Sequence, residues 1–114
     1  MVINKTKQLF GEFKLQGNWT IKTQSFEGDY CFNGNIYISR EVHLRIDKKI
    51  IFQMVQITKL LVEINNGLDY LIVFENSKTK EKLFFIDQLS KAMIESGDFL
   101  PEHNYCTLLF SNEY

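Results

Sequence analysis

Four side chains in this sequence could ligate a zinc-like metal ion: Cys31, His43, His103 and Cys106. Two cysteines and two histidines are the donor set of a tetrahedral zinc site. The spacing argues against one here. Cys31 and His43 stand twelve positions apart, and His103-x-x-Cys106 is a single pair, whereas zinc modules bring their ligands in close pairs on tight turns. The same residues would allow a cysteine nucleophile, Cys106, with His103 or His43 as its base. Cys106 falls in the apolar run YCTLLF, where desolvation raises a thiol pKa and lowers reactivity. Both cysteines therefore read as structural. Nothing in the spacing pairs carboxylates such as Glu12 and Asp29 for acid–base work. The six glycines are scattered and form neither GxGxxG nor GxxxxGK, which speaks against a nucleotide-dependent enzyme. The expectation is a protein that is not an enzyme and has no metal or cofactor.

Charge offers a different chemistry. Residues 39–49 read SREVHLRIDKK, in which Arg40, Arg45, Lys48 and Lys49 accompany His43. Lys14, Trp19 and Lys22 come from strands expected nearby. Cations on an exposed sheet face can contact phosphates, and Trp19 or a tyrosine could stack an unpaired base. The candidate nucleic-acid surface is therefore Lys14, Trp19, Lys22, Arg40, His43, Arg45, Lys48 and Lys49, diluted by Glu41 and Asp47. An ordinary solvated strand would look the same. The net charge of −1 predicts no general attraction to polyanions, but the halves differ. Residues 1–57 hold eight Lys/Arg against five Asp/Glu, and residues 58–114 hold five against nine. Such asymmetry can build one basic face on a neutral protein.

The elements that must position these residues follow from hydrophobic periodicity. KQLFGEFKL (7–15) and WTIKTQSF (19–26) alternate as strands across the turn Gln16-Gly17-Asn18. In YCFNGNIYI, Asn33-Gly34 predicts a type I′ hairpin pairing Tyr30–Phe32 with Asn35–Ile38. Val42, Leu44 and Ile46 alternate with His43 and Arg45, so Glu41–Ile46 is expected as a strand and the first 46 residues as a β-meander. From Asp47 the period lengthens. Polar residues at Gln53, Gln56, Lys59, Glu63 and Asn66 mark one face of a helix over about 52–66, with Asp47 as cap and Gly67 closing it. LDYLIVFE (68–75) and LFFI (83–86) form a hairpin across the polar turn NSKTKEK. Asp87 stands where a cap belongs before the short helix QLSKAMIES, which Gly97 ends, and YCTLLF (105–110) is a last strand.

About seven strands and two helices define an α+β chain: a mainly antiparallel curled sheet or small β pseudo-barrel with two helices at its ends. The 114 residues fit a single domain, 1–114. MVINKTKQLF has no apolar leader and no apolar run reaches 18 residues, so the expectation is a cytoplasmic protein off the membrane, with reduced thiols. The helix over 52–66 is apolar nearly all round, through Phe52, Met54, Val55, Ile57, Leu60, Leu61, Val62 and Ile64. Burial against its own sheet accounts for much of that, and a homodimer through residues 52–66 is a second use.

From LFGEFKL through LDYLIVFENSKTKEKLFFIDQLSKAM to NYCTLLFSNEY, the chain resembles the PrgU-type accessory proteins of Gram-positive conjugative plasmids. The resemblance lies in size, strand order and texture over most of the chain. It implies a PUA-like fold, a β pseudo-barrel closed by short helices. It also implies an RNA-binding regulator that restrains expression of conjugation-related surface proteins on a mobile element. The alternative is a protein-interaction or homodimerisation module that binds no nucleic acid.

Overall fold

A computed structural model of the chain describes residues 11–23 and 27–114. Six strands build one sheet: β1 (Gly11–Lys14), β2 (Trp19–Thr23), β3 (Asn35–Ile38), β4 (Leu71–Asn76), β5 (Lys82–Asp87) and β6 (Tyr105–Phe110). Their spatial order is β1-β2-β4-β5-β6-β3. Every neighbouring pair is antiparallel except β3 and β6, which run parallel. Three helices complete the fold: α1 (Arg40–Arg45), α2 (Lys48–Asn65) and α3 (Lys91–Ser96). The α+β class and the mainly antiparallel sheet are as the sequence suggests. The outer strands β1 and β3 do not pair with each other, so among the described residues the sheet is open.

One face of the sheet carries the core. Across the strands, Ile21, Phe74, Leu83 and Phe110 form one row. Ile72, Phe85, Leu108 and Ile38 form the next. Period-two alternation sends these side chains to a single side. Met54 and Leu61 of α2 join the same apolar cluster. The β1–β2 and β4–β5 hairpins and the strand β6 follow the sequence reading, although residues 7–10 and 24–26 of the first hairpin lie outside the described residues.

Three expectations are overturned. Glu41–Ile46 is not a strand. Ser39 caps α1, its Oγ accepting from the Val42 amide at 3.2 Å. Val42 is buried, Ile46 packs on the core four positions later, and Leu44 is 64% exposed. Spacing of four buries one helix face, whereas a strand would bury all three.

Asn33-Gly34 makes no hairpin. β3 lies along β6, pairing Asn35 with Tyr105 through Ile38 with Leu108, while Tyr30 bridges Leu68. Gly34 serves close approach instead: a Cβ there would come within 2.1 Å of the Asn104 carbonyl oxygen. The β-meander therefore ends at β2.

Asp87 caps no helix. Ser90 takes that role for α3, accepting from the Met93 amide. Asp87 ends β5, 2% exposed, and its Oδ2 accepts from the Phe32 amide at 2.8 Å. The helix expected over 52–66 starts earlier, at Lys48, because Asp47 caps it by accepting from the Lys49 amide at 2.8 Å. It ends with Asn66 (φ 60°) as its C-cap, which leaves Gly67 (φ 122°) in the C′ position expected of it.

Burial pushes the Asp87 carboxyl above its ordinary value. The amides of Phe32, Gln88 and Leu89 and the Lys59 ammonium pull the other way. A carboxyl whose pKa is raised by folding binds more protons folded than unfolded. Its contribution to stability is complete below the unfolded value, near 3.8, and is lost as pH rises through the folded value. The stability of the wild type relative to Asp87→Asn, from urea unfolding, is therefore expected to fall as pH rises from about 4 to 7. A difference that is flat or rises with pH would refute this. Asp87→Ala strands the Phe32 amide and should cost about 1–3 kcal/mol.

Candidate nucleic-acid interface

Three loops meet at one end of the sheet. The 3₁₀ turn Gln16–Asn18 joins β1 to β2, the turn Ser77–Glu81 joins β4 to β5, and α1 runs into α2 around Asp47. Asn76 knits the first two together. Its Oδ1 accepts from the Lys78 and Thr79 amides at 2.9 and 3.0 Å, and its Nδ2 donates to the Gly17 carbonyl at 3.2 Å. The Ser77 amide adds a bond to the Asn18 carbonyl at 2.9 Å. The third loop is tied in by the Gln16 amide, which donates to Gln53 Oε1 at 3.0 Å. Gly17 (φ 69°) lets the turn press on α2, since a Cβ there would stand 2.7 Å from the Ile50 side chain.

The eight residues of the proposed surface fare differently. Lys14 holds the register position opposite Thr20, and its side chain lies outside what the structure describes. Trp19 is no stacking platform: at 3% exposure its ring is part of the core. It opens β2 on the same face as Ile21, so period-two alternation turns it inward. Lys22 points to the other face and pairs with Glu75 at 3.2 Å. Arg45 pairs with Glu81, and its guanidinium carbon lies 4.2 Å from the Phe110 ring centroid. Arg40 and His43 are exposed on α1. In a helix, Arg40 and Arg45 are turned about 140° apart, so the single charged strand face expected from 39–49 is split. Lys48 and Lys49 are exposed in the first turn of α2.

Sequence reasoning missed Lys78 and Lys80. Both are exposed on the β4–β5 turn, and Lys80 lines a cleft of about 570 Å³ together with Leu15, Asn18, Trp19, Lys22, Glu75 and Ser77. Lys48 and Lys49 flank the other side of Gln16. The alternating lysines of SKTKEK were the available signal. Their location was not, because it depends on β2 pairing with β4 across some fifty residues of sequence.

The alternative chemistries gain no geometry. Burial pushes the Cys106 thiol up to about 12, with Asp87 adding and Lys59 opposing, and its Sγ lies 3.7 Å from the Asn35 carbonyl. Burial raises the Cys31 thiol as well, against Lys91. Among the described residues no three His, Cys, Asp or Glu side chains come together to hold a metal ion, and no helix is long and apolar enough to cross a membrane. No protein-family model, curated protein or solved structure matches the chain.

Asn76→Ala removes a side chain that satisfies two amides and one carbonyl at a buried position. It is expected to cost about 1–3 kcal/mol in urea unfolding. Replacing the neighbouring exposed Lys78 by alanine should stay within about 0.5 kcal/mol. Equal effects of the two would show that Asn76 does not hold the loops together.

Proposed function

We propose that this protein binds RNA at the loop end of the sheet and acts as a small cytoplasmic regulator of gene expression. The observation that carries the reading is that exposed lysines stand on both sides of the Gln16–Asn18 turn: Lys80 lines the cleft beside Asn18, with Lys78 exposed on the same β4–β5 turn, and Lys48 and Lys49 line a second groove beside Gln16. Lys22 and Arg45 lie beside them with their charges already met by Glu75 and Glu81. Four exposed ammonium groups suit a phosphate backbone, and with Trp19 buried the contact is chiefly electrostatic. Such binding has low sequence preference and strong salt dependence. No enzymatic step belongs to this reading. A PUA-like pseudo-barrel and a role in controlling conjugation genes on a mobile element are its finer form, and they rest on the resemblance to PrgU-type proteins. The mainly antiparallel character of the sheet is in keeping with that form, whereas the described strands make an open sheet and not a closed pseudo-barrel.

Fluorescence anisotropy with labelled single-stranded RNA across a salt series tests this. Three or four phosphate contacts give a slope of log K against log salt of about −2 to −3. Lys78→Glu with Lys80→Glu should flatten that slope by about 1.4 and weaken binding at least tenfold, with the unfolding midpoint unchanged. Arg45 is a poor probe, because its loss would also disturb Phe110. Absence of binding at low salt, or equal affinity in the double variant, overturns the proposal.

A further inference from the structure

The helix α2 buries one face and leaves the other open. Met54, Thr58, Leu61 and Asn65 are its buried residues. At about 100° per residue these point away from Gln56, while Lys49, Phe52, Leu60 and Glu63 all fall within about 40° of it. All five residues of this opposite stripe are exposed, Phe52 at 63% and Leu60 at 45%. Beside the stripe runs an open groove of about 640 Å³ between α2 and Leu15–Gln16.

The order of the stripe is palindromic in character. Lys49 and Glu63 lie seven residues on either side of Gln56, and Phe52 and Leu60 lie four residues on either side. We propose that a second copy of this chain docks antiparallel on this face of α2, with the two-fold axis at Gln56. The pairing sets Lys49 against the partner's Glu63, Phe52 against the partner's Leu60, and Gln56 against the partner's Gln56. A parallel pairing would instead oppose lysine to lysine and glutamate to glutamate. An isologous contact needs a self-complementary patch, and this stripe is one.

The charges of the helix favour the same partner. Lys48 and Lys49 occupy the first turn and Glu63 the last. Both placements run against the helix dipole, which prefers anions at the N-terminus and cations at the C-terminus. An antiparallel neighbour brings the opposite dipole end and the opposite charge to each. The seam from Lys49 to Glu63 spans about 21 Å, at the small end of specific interfaces. A dissociation constant of roughly 10–100 µM is therefore expected.

Sedimentation equilibrium of the full chain over about 1–500 µM brackets that range. A reversible monomer–dimer equilibrium is the expected result. Phe52→Ser with Leu60→Ser should leave a folded monomer throughout. Lys49→Glu and Glu63→Lys should each weaken association about fivefold or more by opposing like charges. The two charge reversals combined should restore it to within about twofold. A strict monomer, a dimer indifferent to Phe52, or a double reversal that fails to recover overturns the proposal. RNA affinity per chain in the Phe52/Leu60 variant is expected to be unchanged, so failure of the dimer and failure of RNA binding are read separately.

Discussion

The peptide groups of Phe32 hold the fold's least regular segment in place. Phe32 has a positive φ of 50° and a fully buried ring, so its backbone cannot join a β-ladder and cannot reach water. Its N–H is accepted by Asp87 at the end of β5, and its C=O accepts from the Lys59 ammonium on α2 at 3.1 Å. The two successive peptide units that flank the Phe32 Cα are thus each met by a side chain from another element, Asp87 of β5 and Lys59 of α2. An unpaired buried peptide group would cost about as much as a lost hydrogen bond. Here both are paired. The Phe32 ring then stacks obliquely on Phe85 with centroids 5.0 Å apart. Sheet, connecting segment and the body of α2 are thereby tied together through Phe32.

What the sequence made legible is what depends on near neighbours. The β4–β5 hairpin, β6 and the turn Gln16–Asn18 follow from local alternation and turn chemistry. The body of α2 follows from spacing of three and four. α1 was misjudged because Val42, Leu44 and Ile46 satisfy a period of two, while only Ser39, a single capping residue, marked the helix. Asn33-Gly34 misled for a different reason. Its turn chemistry is sound for a hairpin, but the edge of β6 was open to a parallel partner far away in sequence, and that pairing prevailed. Asp87 resembled a cap because a carboxylate before a helical pattern usually is one. Nothing local announces that Phe32, fifty-five residues earlier, needs an acceptor.

The candidate interface divides along the same line. Lys48 and Lys49 fall in the first turn of α2 and not beside a strand face, because Asp47 fixes the start of the helix ahead of the expected residue 52. Arg40 and Arg45 part company because a helix replaces a strand. Trp19 turns inward with Ile21, as an aromatic residue opening a half-buried strand often does. Lys78 and Lys80 join the surface only through the β2–β4 pairing and the bridge made by Asn76. Charge counted along the chain is thus a poor guide to charge in space. The acidic second half supplies Lys78 and Lys80, both exposed on the β4–β5 turn.

The first turn of α2 belongs to both of the proposed surfaces. Lys48 and Lys49 sit against the positive end of a helix of 18 residues, a placement that destabilises an isolated helix by about 0.3–1 kcal/mol per charge. Asp47 offsets part of this through its capping bond. The remainder is relieved by whatever negative charge approaches, whether a phosphate or a carboxylate. These alternatives need not exclude each other. On the helix surface Lys49 lies on the exposed stripe, whereas Lys48 is turned about 100° away from it. In a two-fold assembly Lys49 would face protein while Lys48, Lys78 and Lys80 stayed open to solvent. The two rims would then stand at opposite ends of the helix pair, separated by about the length of the seam, so one polyanion chain could span both.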